Sequence, residues 1–178
     1  TTDGYVVDPI FFPGGDIGKL AIHGTINDLA MQGAQPIGLS LSLILEEGFL
    51  FNDLKKIVKS MAAEAKRAGI EIVTGDTKVV NKGKCDKIFI TTSGIGLLEN
   101  KYKHISLGKK IKVGDNVLIN GPIAEHGMSI LSARNDLNLS AKIKSDCACL
   151  NHLIKSVMDS GHEVKFMRDA TRGGVATV

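Results

Sequence analysis

Tryptophan is absent and only 4% of the residues are aromatic, so the chain has few ring faces on which single-stranded nucleic acid could stack. Charge of one sign is also scarce. The formal net charge is +3, and lysines stand in scattered groups, Lys55, Lys56 and Lys59 or Lys109, Lys110 and Lys112, rather than in one stripe. Such groups read as solvated helix faces and loops, so no nucleic-acid partner is expected. No run approaches the roughly 18 apolar residues of a membrane-crossing helix, and nothing at the start resembles a signal peptide. The expected location is cytoplasmic, without a membrane partner. Three cysteines, Cys85, Cys147 and Cys149, are too few and the last two too close for the usual two-residue metal knuckle. They are expected to be reduced, buried or half-buried thiols.

What remains is the composition of a globular protein, 178 residues of which 43% are hydrophobic and 23% charged. Tyr5 to Val7 is a short strand candidate. Apolar residues at Ile17, Leu20, Ala21, Ile26, Leu29 and Ala30 predict a helix from Asp16, its N-cap, to Gln32, with Gly33 just beyond. Ile37 to Leu45 reads as a strand. A second helix over 52–68 is marked by Leu54, Ile57, Val58, Met61, Ala65 and Ala68 on one face, and Gly69 ends it. Ile70 to Thr74 predicts a strand running into a Gly75-Asp76-Thr77 turn, and Lys87 to Leu98 another after the Lys82-Gly83-Lys84 turn. This rhythm is that of an α+β sandwich with one sheet face covered. A polar stretch over 99–114 leads to a second region, with strands expected at Asn116 to Asn120 and Val164 to Met167. Helices are expected at His126 to Arg134 and after a cap at Ser145 or Asp146, the latter stopped by Gly161. A Gly173-Gly174 pair reads as a further helix start, and the absence of an initial Met suggests a fragment of something longer.

Three aspartates carry the chemistry. Asp3 precedes a strand, Asp28 sits in the first helix beside Asn27, and Asp76 occupies the turn after a strand; each has a neighbouring hydroxyl, amide or Gly. Carboxylates at element edges that converge suit a hard cation such as Mg²⁺ carrying nucleotide phosphates. Separately, each would serve as a cap or turn residue. Lys78, after Asp76-Thr77, is placed to neutralise phosphate charge or act as a base, or else is a surface lysine. Pro13-Gly14-Gly15-Asp16-Ile17-Gly18-Lys19 is anion-friendly, with a lysine one turn into a helix, yet it lacks the first Gly and the final Ser or Thr of a Walker A loop. It serves equally well as a structural turn. Arg168-Asp169-Ala170-Thr171-Arg172-Gly173-Gly174 is either an anion-recognition turn, with Arg172 its foremost member, or a salt-bridged hinge. His23 and His126 read as core or cap residues.

Taken in order, these runs resemble one family. They are Thr-Thr-Asp at 1–3, Phe-Phe-Pro-Gly-Gly-Asp-Ile-Gly-Lys-Leu-Ala at 11–21, Gly-Thr-Ile-Asn-Asp-Leu-Ala at 24–30 and Gly-Ala-Gln-Pro at 33–36. Ile-Leu-Glu-Glu-Gly-Phe at 44–49, Gly-Asp-Thr-Lys-Val-Val at 75–80 and Arg-Asp-Ala-Thr-Arg-Gly-Gly at 168–174 complete the set. The family is HypE, the hydrogenase-maturation carbamoyl dehydratases, within the PurM-like ATP-binding superfamily of aminoimidazole ribonucleotide synthetase. Thr-Thr-Asp, Asn-Asp and Gly-Asp-Thr alone would mark only the superfamily, which also holds thiamine-monophosphate kinase and selenophosphate synthetase. The resemblance implies a two-domain α+β protein. Residues 1–103 would be an ATP-binding and dimerisation domain with a ferredoxin-like sheet, and 104–178 the start of a second α/β domain.

It further implies that a homodimer forms through the first domain, and that ATP converts an S-carbamoyl group on a C-terminal cysteine into thiocyanate, the source of hydrogenase cyanide ligands. HypF would deliver the carbamoyl group and a HypC-HypD complex would receive the product. Asp3, Asp28 and Asp76 would hold Mg²⁺; Lys19, Asn27, Asp28, Thr77 and Arg172 would contact ATP; Lys78 would be catalytic. The family's Gly-rich lead segment and Pro-Arg-Xaa-Cys tail are missing from this sequence, so no turnover is expected of it alone. A superfamily kinase or synthetase, or a non-catalytic module binding a maturation partner, are the alternatives.

Overall fold

Residue 17 begins a helix because Asp16, in extended backbone, turns its carboxylate onto the amides of Gly18 and Lys19 at 2.8 and 3.0 Å. In the computed structural model, which describes residues 1–135 and 143–178, this helix α1 spans Ile17–Met31. Before it lie strand β1, Thr2–Tyr5, and a minimal hairpin of β2, Phe11–Phe12, and β3, Gly15–Asp16. After it come β4, Gln35–Glu46, helix α2, Phe51–Ala68, β5, Glu71–Val80, and β6, Ile88–Leu97. Helices α3, Glu125–Asn135, and α4, Asn151–Asp159, follow.

The four long strands form one mixed sheet in the order β1-β6-β4-β5. Its β4–β5 pair is parallel and the other pairs antiparallel, so α2 serves as the crossover that a parallel pair requires. Strand alternation sends Leu39, Leu43, Leu45, Ile88, Ile90 and Thr92 toward the helices, where Ile17, Ile22, Ile26, Ile57 and Met61 meet them. Helix α2 ends as expected at Gly69, whose φ of 72° is the left-handed conformation glycine tolerates. The opposite sheet face carries no helix among the described residues, and Ile95 remains 72% exposed there.

Several expectations change. The first strand lies at Thr2–Tyr5, so Asp3 is within it rather than before it. Gly75, Asp76 and Thr77 form no turn. They continue β5, paired with Leu41, Ser42 and Leu43, because ladder hydrogen bonds to a central strand outweigh local turn chemistry. Residues 116–120 and 164–167 are not strands: no second strand lies beside either among the described residues, and Val117 and Leu118 stand almost fully exposed. The cap at Ser145 or Asp146 is replaced by Leu150, since 145–150 is neither helix nor strand and α4 starts only at Asn151. Gly173-Gly174 leads only into a 3-10 turn, Gly174–Thr177.

Helices α1 and α2 touch at Gly18, where an added Cβ would meet the Ile57 carbonyl oxygen at 2.8 Å and Met61 Cγ at 2.7 Å. Gly18→Val is expected to lower stability by about 2 kcal/mol through overpacking, read as a lower urea midpoint at unchanged slope. An unchanged midpoint would mean that the two helices part without cost.

Candidate functional site

The second half of α1 projects Asp28 beside β1. Thr1 Oγ donates to Asp28 Oδ2 at 2.9 Å, and Asp3 Oδ1 accepts from the Gly4 amide at 2.9 Å. Burial pushes the Asp28 carboxyl above its ordinary range; the Thr1 hydrogen bond opposes this, Asp169 and Asp3 add to it, and Arg172 pulls the other way. Strand, helix and the distant 168–174 run therefore meet in one electrostatic neighbourhood of three carboxylates and a guanidinium. No set of three carboxylate, His or Cys groups is drawn into metal-binding geometry among the described residues. The donor chemistry nevertheless fits a hard cation, since the carboxylates offer oxygen ligands and positive charge would relieve the raised Asp28 carboxyl.

Asp76 and Lys78 lie elsewhere. On β5 they share the helix-free face, with Lys78 Nζ 2.7 Å from Asp76 Oδ2 and both side chains well exposed. The Lys78 contact, and then the Thr77 amide, hold the Asp76 carboxyl below its usual range. Thr77 itself is in register with Leu43 and points to the other face. Asp3 pairs with Thr92 on the helix-covered side, and three strand spacings, about 14 Å, separate β1 from β5. Within one chain the triad is therefore divided: Asp3 and Asp28 come together, and Asp76 does not join them.

The glycine-rich loop is a structural turn. Asp16 already occupies the amides that an anion would use, and Lys19 Nζ donates to the Gly14 carbonyl at 3.1 Å. Pro13 O accepts from Ser129 Oγ and the Ser145 amide, so the loop is a docking point for later chain. Nine residues along α1, about 13 Å, separate Lys19 from Asp28. Asn27 is also engaged, its amide donating to Ala148 O at 2.9 Å and accepting from Leu150 N at 2.8 Å.

A second polar cluster escaped the sequence reading. His23, 2% exposed, lies with Nε2 2.9 Å from Glu64 Oε2, and Arg67 Nη1 donates to both Glu64 oxygens at 3.1 Å. With Nε2–H given to Glu64, Nδ1 is left to accept from the Cys147 thiol, 3.4 Å away. Burial lowers His23 below its ordinary value, with Glu64 opposing, and pushes the Cys147 thiol up to about 12. The available signal was a polar stripe, Lys19, His23 and Asn27, spaced four apart on an otherwise apolar helix. His126 is as expected a packing residue, edge-on to Phe12 and bonded to Ser145 Oγ at 2.9 Å.

Because His23 is lowered on folding, the unfolded chain binds the extra proton first as pH falls below 6.5. The stability it contributes is full above that value and is lost as pH drops toward the folded one, by at most about 1.4 kcal/mol per pH unit for one proton. In urea titrations at pH 7.5 and 5.5, His23→Gln is expected to lose less stability on acidification than the parent protein. Equal losses would remove His23 from the account.

Comparison with known proteins follows the same lines. The family described as "AIR synthase related protein, N-terminal domain" matches residues 1–98. The carbamoyl dehydratase HypE of Bradyrhizobium diazoefficiens is 51% identical over 177 residues, 99% of this chain and 51% of that protein. The crystal structure of E. coli HypE superposes with a TM-score of 0.94 at 50% identity, over 99% of this chain and 54% of that one. HypE in complex with ATP gives 0.93 at 49% identity, and a HypE-HypF complex 0.92 at 56%, each over 99% of this chain and respectively 52% and 57% of the other. The chain thus spans about half the length of the curated relatives it matches. With that match over residues 1–98, and with the likeness to HypE running along nearly the whole chain, the protein belongs to the family of AIR synthase related proteins.

Proposed function

We propose that this chain is the first half of a carbamoyl dehydratase of the HypE type, acting in the assembly of nickel-iron hydrogenase. The observation that carries this is a fold shared with an ATP-bound HypE, in which Asp3, Asp169 and Arg172, distant in sequence, lie within electrostatic reach of Asp28. In the proposed reaction the carbamoyl oxygen of a C-terminal S-carbamoyl cysteine attacks the γ-phosphorus of ATP, releasing ADP. Loss of the N–H protons and of phosphate then leaves an S-bound C≡N group, which becomes a cyanide ligand of iron.

Asp3 and Asp28 would hold Mg²⁺, which when bound neutralises phosphate charge. Phosphoryl transfer needs little from a protein beyond positioning and charge stabilisation, and Arg172 supplies a fork of donors for phosphate oxygens. Lys78, ion-paired with Asp76 at 2.7 Å, suits the charge that develops on the phosphorylated carbamoyl group.

Since Asp76 and Lys78 are on the far face from Asp28, we place them in the site of a second copy. Two sheets packed through their helix-free faces would cover Ile95 and Leu97, 72% and 66% exposed. Residues 1–103 then form the nucleotide and dimer domain, and 104–178 open the second. A solved HypE-HypF complex supports HypF as a partner; carbamoyl donation by HypF and acceptance by a HypC-HypD complex are the roles we propose. No helix of the described residues is long and apolar enough to cross a membrane.

The test is mass spectrometry of the tail of the full-length protein after carbamoylation by HypF. Adding Mg-ATP is expected to remove one water from the carbamoylated cysteine, and Asp28→Asn or Lys78→Ala to slow this at least about a hundredfold. A tail mass that never responds to ATP would sink the proposal.

A further inference from the structure

Residues 145–150, neither helix nor strand, cross α1 as a strap fastened mostly by side chains. Asn27 grips it as a neighbouring strand would, through the 148 carbonyl and the 150 amide. One turn earlier, His23 takes the Cys147 thiol and is itself held by Glu64, which Arg67 grips in turn. At one end Ser145 N donates to Pro13 O; past the other, Asn151 Nδ2 donates to Ala68 O at 2.9 Å, where α4 begins. Helix α4 packs on α1 and β4, and His104 Nε2 meets Val164 O at 3.0 Å farther along. The same chain then brings Asp169 and Arg172 within electrostatic reach of Asp28.

Cysteine, imidazole and carboxylate in this order resemble a nucleophile with its base and orienter. Packing argues against that use: burial pushes the thiol up to about 12, and its sulfur is already engaged by His23 Nδ1 at 3.4 Å. The cluster is a fastening. Helix α1 meets the strap at His23 and Asn27, and the next position is Asp28.

We infer that His23, Asn27 and Cys147 are positioning residues for the nucleotide site: by seating the strap on α1 they set where Arg172 stands relative to Asp28. This rests on the proposed ATP site. It does not require them to touch ATP.

The experiment is a double-mutant cycle in the full-length protein, reading KM for Mg-ATP and kcat of the dehydration. Cys147→Ala is expected to raise KM for ATP about threefold and Asn27→Ala about tenfold, with kcat little changed. Cys147→Ser, which keeps a donor for His23, is expected to restore the parental value. In an Arg172→Ala background the effect of Cys147→Ala is expected to vanish, because its route to the site has been removed. If Cys147→Ala lowers the urea midpoint and leaves KM alone, or if its effect multiplies independently with that of Arg172→Ala, the positioning role is overturned. If the parental protein does not saturate with ATP at all, the ATP reading falls and this inference falls with it, an outcome distinct from the other two.

Discussion

Burial of α1 on several sides at once decides where the rest of the chain can go. Ile17, Ile22 and Ile26 are sealed against the sheet and α2, which leaves only a polar stripe and the end bearing Asp28 for other contacts. The strap and α4 take the stripe, and β1 comes alongside Asp28. A helix so enclosed cannot rotate without breaking apolar contacts on one side and hydrogen bonds on the other. Position 28 is therefore fixed by packing begun at residue 17, and the carboxylate needs few bonds of its own to be held in place.

The buried charge beside that helix is costly, and its partners explain why it persists. Glu64 is only 7% exposed, yet it touches both the His23 imidazole and the Arg67 guanidinium, with the latter reaching into solvent. Buried pairs of this kind often add little net stability relative to an apolar replacement of equal volume. Removing one partner is severe, since the remaining charge is stranded. The return on the cluster is orientation: Glu64 fixes which imidazole nitrogen carries the proton, and hence which way the Cys147 hydrogen bond runs.

Local chemistry made the helices legible and left the ladders obscure. The Asp16 cap, the apolar face of α2 and the left-handed Gly69 each follow from a few adjacent residues. Gly75-Asp76-Thr77 has the composition of a turn, and only the pairing with β4, more than thirty residues upstream, makes it a strand. The same non-local information governs the candidate site. Asp3 and Asp76 look equivalent along the sequence, but strand register sends their side chains to opposite faces, and register cannot be read from either neighbourhood alone. Residues 116–120 have the composition of a strand; lacking a paired neighbour among the described residues, they do not become one.

Chemistry carried on one cysteine also constrains the others. If the substrate group rides on a thiol at the chain terminus, every thiol elsewhere is a competing nucleophile, and nucleophilicity belongs to the thiolate. Burial is the leading cause raising Cys85, Cys147 and Cys149 alike, and for Cys147 the value of about 12 leaves almost no thiolate at neutral pH. Each also has a contact at its sulfur: the Ile44 carbonyl for Cys85, His23 for Cys147, the Asn151 side chain for Cys149. An exposed cysteine in their place would invite misplaced carbamoylation or mixed disulfides. The packing that seats the strap on α1 therefore also quiets its two thiols, Cys147 and Cys149.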